Sequence, residues 1–297
     1  MKSEQYASFL SAIGHRVVRT ESGLWYDAAR YFLLGAPSHE LREPPPEELR
    51  KLLVRGGFAG ARYTAPLHAK GRASYQIVCD DRDYSLEKLS ANTRSKVRRG
   101  LRRCEIAPLS AEEARRHGYE AHRDTVVRQG RQGDWGRVRW DLFWDAVART
   151  PDVEVRGAWV GNELAAFLVC LVFEDSAEFS VARSRTDALG AYPNNALVYR
   201  TLHEMLHERG LREVTFGIES LEPVGPLDEF KFSMGFRPRP IRQAVVFHPA
   251  VSLLLRRSSF RRLARAVARR GSESRGPSAF WRKAVGLLAF AEEGGTV

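Results

Sequence analysis

The segment Leu227-Asp228-Glu229-Phe230-Lys231-Phe232-Ser233-Met234-Gly235-Phe236 sets one lysine between two phenylalanines, just ahead of a Gly-Phe turn. A lysine desolvated on aromatic walls stabilises negative charge growing on a reacting carbonyl oxygen more strongly than it does in water. Lys231 is therefore a candidate oxyanion stabiliser. Asp228, one helical turn earlier, is a candidate partner for it or a cap of the same short helix. The plain alternative is a short helix whose Lys231 faces solvent while Phe230 and Phe232 pack.

A second constellation points to different chemistry. In His203-Glu204-Met205-Leu206-His207-Glu208-Arg209-Gly210, the two histidines share a helical face and could bind zinc. Glu204 would activate a water and Glu213 would stand at the place of a third ligand. Against this zinc-peptidase reading, Leu202 and Leu206 bury the helix against a sheet, Gly210 is explained as a helix stop, and Glu213 is not the usual third ligand.

The elements that must position these residues are legible from spacing. Asn194 to Arg209 carries Ala196, Leu197, Tyr199, Leu202, Met205 and Leu206 at helical intervals, and Glu213 to Ile218 reads as a strand. Val153 to Val160, Glu163 to Phe173 and Ala177 to Ala182 read as a strand meander turning at Gly161-Asn162. Further helices are expected over Glu4 to Ile13, Glu47 to Arg55, Asn92 to Cys104, Ala111 to Arg128 and Trp140 to Ala148. Strands are expected over Arg16 to Arg19, Arg30 to Leu34, Phe58 to Tyr63 and Ser74 to Val78. Leu49, Leu53 and Gly57 before Phe58 repeat the spacing of Leu202, Leu206 and Gly210 before Leu211, a faint internal echo.

This order, with the motifs at Asn92 to Glu105, Tyr192 to Gly217 and Leu227 to Phe236, resembles the FemAB-like branch of the GNAT acyltransferase superfamily. The resemblance implies an α/β fold of tandem GNAT-like halves with mixed central sheets. The expected parts are a truncated N-terminal half over residues 1–85, an acyltransferase core over 86–250 and a basic helical C-terminal extension over 251–297. It also implies that Lys231 stabilises the tetrahedral intermediate formed when an amine attacks the acyl carbonyl. Tyr192, Asn194 and Asn195 open the central helix and are expected to line the same cleft, with Phe230 and Trp135 completing the substrate-binding set.

The donor is left open between aminoacyl-tRNA and acyl-CoA, with no tightly bound cofactor expected. Members of the superfamily that use acyl-CoA hold its pyrophosphate on a glycine-rich loop before the central helix. The corresponding segment here, Arg183 to Asn195, has Gly190 but lacks the full glycine pattern, and Pro193 removes a donor. The formal net charge of +11 is concentrated: Asn92 to Arg103 carries +6, Val251 to Lys283 carries +9, and the rest is acidic. Arg94, Arg98 and Arg102 share one face of a helix, with Lys96, Arg99 and Arg103 beside it, a surface able to grip phosphates of a tRNA. The alternative is a solvated basic face, although no acid lies within the segment.

In the tail, Phe260, Leu263, Ala264 and Val267 run as an apolar stripe through arginines, and Phe280, Trp281, Val285, Leu288 and Phe290 follow. That pattern suits an anionic membrane surface, tRNA or the protein's own body. Cys79, Cys104 and Cys170 are too far apart for a disulfide framework or a cysteine zinc site, and no apolar run is long enough to span a bilayer. A cytoplasmic protein is expected, peripheral at the inner face of the membrane, acting on an amine-bearing small molecule or peptide such as a cell-wall precursor.

Overall fold

A computed structural model describes residues 1–29, 31–130, 135–221, 225–255, 262, 266, 286–289 and 291–292 of the chain. In chain order the elements are α1 (Ser3–Ala12), β1 (Val17–Thr20), β2 (Gly23–Ala29), β3 (Phe32–Ala36), α2 (Pro46–Gly56), β4 (Gly60–Ala65), β5 (Arg72–Cys79), α3 (Ala91–Arg103), β6 (Glu105–Pro108), α4 (Ala111–His117), α5 (Tyr119–Arg128), α6 (Arg137–Ala148), β7 (Val153–Val160), β8 (Glu163–Val172), β9 (Ser176–Ser184), α7 (Pro193–His203), β10 (Glu213–Ile218), α8 (Gly225–Ser233), β11 (Arg237–Phe247) and α9 (Pro249–Leu255). A short 3₁₀ turn (Leu86–Lys88) precedes α3, another (Leu189–Ala191) precedes α7, and a π-helical turn (Glu204–Glu208) extends α7.

The chain divides into two compact units. The first takes Met1–Ile13, Ile77–Gly217 and Val224–Pro238, and the second takes Gly14–Gln76, Ile218–Pro223 and Arg239–Val297. These limits differ from residues 1–85, 86–250 and 251–297. The opening helix α1 packs within the first unit, Tyr6 edge-on to Phe173 and Phe9 edge-on to Phe143. The strand β11 pairs antiparallel with β4 from Gly60↔Phe247 to Ala65↔Arg242, drawing the end of the globular chain into the second unit. Pairing between residues so distant in sequence leaves no local signal.

In the second unit β1, β2, β3, β4 and β11 are neighbours in that order, with β3 and β4 parallel and the other pairs antiparallel. Leu49, Leu52 and Leu53 of α2 cover one face with Trp25, Leu33 and Phe58. Phe32, Val245, Phe247 and Leu255 form a second cluster, which also takes in Leu287 and Ala291. Those two tail residues thus pack on the protein's own body. Phe260, Leu263, Ala264, Val267, Phe280, Trp281, Val285 and Phe290 lie outside the described residues.

In the first unit β6, β7, β8 and β9 form an antiparallel run to which β10 adds in parallel. β8 is buried along nearly its whole length, as expected of a central strand covered on both faces. The architecture is α/β, and each unit combines parallel and antiparallel strand pairs. The internal echo has a shared backbone: Gly57 (φ 70°) and Gly210 (φ 68°) both end their helices in the left-handed conformation.

Two helices differ from expectation. The span Ala111 to Arg128 breaks at Gly118, where a side chain would meet the Ala114 carbonyl at 2.6 Å and the Phe167 ring at 3.1 Å. The helix after Pro193 loosens into the π turn from Glu204. β2 and β6 were not anticipated: β6 has only four residues, and β2 (GLWYDAA) carries little apolar alternation.

α3 approaches α7 through Gly100, where an added Cβ would lie 2.7 Å from the Tyr192 carbonyl oxygen and 2.9 Å from Ala196 Cβ. Alanine normally favours a helix interior over glycine by about 0.5–1 kcal/mol. At this contact overpacking of about 1–3 kcal/mol outweighs that gain. Gly100→Ala is therefore expected to lower the urea midpoint, and a rise in the midpoint would contradict the close approach.

Candidate active site

The site is built where strand pairing stops. β9 and β10 pair only at Glu213↔Ser176, Val214↔Ala177 and Thr215↔Glu178, although β9 continues to Ser184 and β10 to Ile218. Thr215 Oγ1 donates to the Ile77 carbonyl at 3.0 Å and accepts from Gly217 N–H at 2.9 Å, while Gly217 turns to φ 82°. Beyond that point the rings of Phe179, Phe216 and Phe236 meet, with centroids 4.7–6.1 Å apart.

Lys231 on α8 extends over this aromatic floor, its Nζ 5.7 Å from the Phe216 centroid. Asp228 Oδ1 accepts from Nζ at 2.7 Å, and the side chains are 21% and 18% exposed, so the pair is largely withdrawn from solvent. The ring below Lys231 is Phe216, not a sequence neighbour. On a helix residues i−1 and i+1 project about 100° to either side, so Phe230 and Phe232 cannot wall the lysine between them. Phe230 is half-buried on α8.

The end of α8 is fixed from two sides. The Tyr84 hydroxyl donates to the Met234 carbonyl at 2.8 Å, and Asn195 Nδ2 of α7 reaches Met234 Sδ at 3.4 Å. Gly235 follows at φ 95°, where a Cβ would sit 2.7 Å from the Tyr84 ring.

Tyr192 precedes α7 in the left-handed conformation (φ 59°). Its hydroxyl is 3.4 Å from Arg99 Nη1, and the Arg99 guanidinium lies 5.4 Å from its ring centre. Arg103 donates to the Gly190 carbonyl at 2.9 Å. Asn194 donates from Nδ2 to Ser184 Oγ at 3.0 Å rather than capping the helix.

Ser184, Thr125 and Arg128 were missed by sequence reading. Ser184 N–H donates to Thr125 Oγ1 at 2.9 Å, which donates back to the Ser184 carbonyl at 3.1 Å, and Arg128 Nη2 donates to Ser184 Oγ at 2.9 Å. These partners lie 56 to 59 residues apart, and a lone serine, threonine or arginine carries no sequence signal of such pairing.

Four amide donors of the loop between β9 and α7 are already engaged. Leu189, Ala191 and Tyr192 N–H groups bond to Thr186, Ala188 and Leu189 carbonyls, and Thr186 N–H donates to Asp124 Oδ2 at 2.8 Å. Those amides are thus not turned to a ligand.

On α3, Arg98 and Arg102 are exposed and Arg94 half-buried. The face is less free of acid than the segment suggests, because Glu87 from the preceding 3₁₀ turn is held below the ordinary carboxylate range. Its own backbone and Ser85 are the main causes, with Arg98 and Arg94 adding to them. Trp135 stands apart from these groups, in ring contact with His122 and Phe143.

The zinc constellation does not converge. His203 and His207 stack on each other, 5.0 Å apart and 12° from parallel, and Glu204 is taken by Arg156 at 2.5 Å. Glu213 is buried on β10 beside Arg212. Among the described residues no group of three or more His, Cys, Asp or Glu could hold a metal ion.

Residues 91–231 match the family model described as acetyltransferase (GNAT) domain. FemX shares the fold with a TM-score of 0.57 at 13% identity, covering 84% of this chain and 93% of that one. The C-terminal (DUF2156) domain of a protein titled lysylphosphatidylglycerol synthetase, from Agrobacterium fabrum, matches at 0.53 and 14% over 89% and 91% of the two chains. L-PGS from Bacillus licheniformis matches at 0.50 and 13% over 82% and 87%. No curated protein matches the sequence. Residues 91–231 thus resemble a GNAT acetyltransferase domain, and the chain shares its fold with FemX. Among the described residues no helix is long and apolar enough to cross a membrane.

The cysteines are poor candidates for a covalent acyl carrier. All three are free and buried; desolvation pushes the Cys79 thiol from 9.0 up to about 11 and raises Cys104 and Cys170 as well. Since the fold holds Cys79 neutral, the linked stability is intact below the unfolded value of 9.0 and is lost as pH rises through about 11. Iodoacetamide at pH 8 is expected to leave all three unmodified in the native protein and to label them in denaturant, read by mass spectrometry. Fast native labelling of Cys79 would contradict this.

Proposed function

We propose that this chain is an N-acyltransferase that moves an aminoacyl group from aminoacyl-tRNA to an amine of a cell-wall precursor, peptide or related small molecule. The observation that carries the reading is the Lys231 ammonium, anchored by Asp228 and lying over Phe216 where β9 and β10 part. A carbonyl oxygen placed there gains negative charge as the amine attacks its carbon, and a fixed cation in a largely desolvated setting stabilises that charge. The intermediate then collapses with loss of the ester oxygen, which leaves as the hydroxyl carrying the proton the amine gives up.

Two further features support tRNA as donor. The loop before α7 already engages four of its amides, which leaves fewer of them for the nest that a CoA pyrophosphate needs. α3 offers Arg98 and Arg102 to solvent and sets Arg99 and Arg103 against that loop at Tyr192 and Gly190. A fold shared with a lysylphosphatidylglycerol synthetase domain supports an aminoacyl cargo. Acyl-CoA is the competing donor. Tyr192, Asn194 and Asn195 would line the acyl pocket, with Asn195 tying it to α8 through Met234.

The test is transfer from a mixture of aminoacyl-tRNAs or acyl-CoAs to an amine panel, with and without RNase. RNase is expected to abolish transfer; survival of the activity would assign the donor to CoA. Lys231→Ala should lower kcat by roughly 10²–10³-fold with little change in KM, the loss typical of one oxyanion donor. Full turnover in that variant would refute the role of Lys231.

A further inference from the structure

One aromatic cluster of the first unit is not used by the acyl-transfer site. His122 of α5, only 1% exposed, stacks on Tyr119 at 6.1 Å and 25° and on Trp135 at 5.5 Å and 26°. Tyr119 and Trp135 are half-buried. Arginines lie over both: Arg137 is 5.1 Å from the Tyr119 centre and Arg139 is 5.7 Å from the Trp135 centre.

The two arginines differ in their charge partners. Arg137 pairs with Asp141 at 3.5 Å, whereas Arg139 is exposed and has no carboxylate within 4.0 Å among the described residues. Trp135 also sits at φ 31°, a sparsely populated conformation for a bulky side chain. Phe143 reaches its ring at 4.6 Å and steadies it there.

A half-buried indole backed by a buried ring, beside an exposed guanidinium, has the chemistry that receives a stacked base and its phosphate. A purely packing role would explain the Phe143 contact but not an exposed cation over the ring. We propose that Trp135, backed by His122 and flanked by Arg139, is a seat for an unpaired nucleobase of the acyl donor. This rests on the acyl-transfer reading and narrows it, because it requires the donor to carry a nucleotide. The base could belong to the single-stranded end of a tRNA or to the adenine of CoA.

The test measures binding by the full chain, independently of turnover. A labelled short unstructured RNA is followed by fluorescence anisotropy, with CoA and the base-free probe ribose 5-phosphate as competitors. Both base-bearing probes should bind better than ribose 5-phosphate, and the tighter of the two names the source of the base. Trp135→Leu should weaken them about tenfold and Trp135→Phe less, in keeping with the worth of one stacked base. Arg139→Gln should weaken RNA binding and reduce its salt slope by roughly one, a change that lost packing alone would not cause.

Equal affinity of the wild type and Trp135→Leu, or equal competition by ribose 5-phosphate, would overturn the proposal. Should Trp135→Leu fail to fold, Trp135→Phe and Arg139→Gln decide by the same criteria. Base-dependent binding with no acyl transfer from any donor would sink the acyl-transfer reading and leave the base seat standing.

Discussion

The site depends on a sheet that stops pairing. A parallel ladder would ordinarily continue while both strands remain extended, yet β9 and β10 exchange only three residue pairs. Buried backbone N–H and C=O groups released from a ladder must find other partners. Thr215 Oγ1 serves one of them, Gly217 N–H, and at the far end of β9 Thr125 Oγ1 serves both the N–H and the carbonyl of Ser184. These side-chain bonds form a polar frame around the place where the two strands part.

Everything placed at the opening inherits its position from that frame. Phe216 lies on β10 just past its last pair with β9 and meets Phe179 of β9 and Phe236 after α8. α8 is fixed at its end by Tyr84 and Asn195, so Lys231 projects from a helix that cannot easily rotate. Asp228, one turn away, holds the ammonium over the ring. α7 enters through the same frame, since Asn194 and Arg128 both donate to Ser184 Oγ.

Much of the scaffold was legible in the sequence, because the echo of two leucines and a glycine reports a local event. Gly57 and Gly210 each take the left-handed conformation that ends a helix before a buried strand. Lys231 and Asp228 were legible as a pair because three-residue spacing on a helix dictates their contact. The aromatic floor was not, since Phe216 comes from another strand and the neighbouring phenylalanines were the only rings in view. The histidine motif misled for the converse reason. Its spacing is that of a metal site, but Glu204 is drawn to Arg156, 48 residues away.

The most direct measurement is chemical rescue at the lysine. Turnover of Lys231→Cys is compared before and after alkylation with bromoethylamine, which restores a primary ammonium at nearly the original reach. The buried native cysteines serve as the background. A fixed cation at the Phe216 floor predicts that the cysteine variant is nearly inactive and that alkylation recovers a substantial share of the rate. Full activity before alkylation, or no recovery after complete modification, would contradict the account.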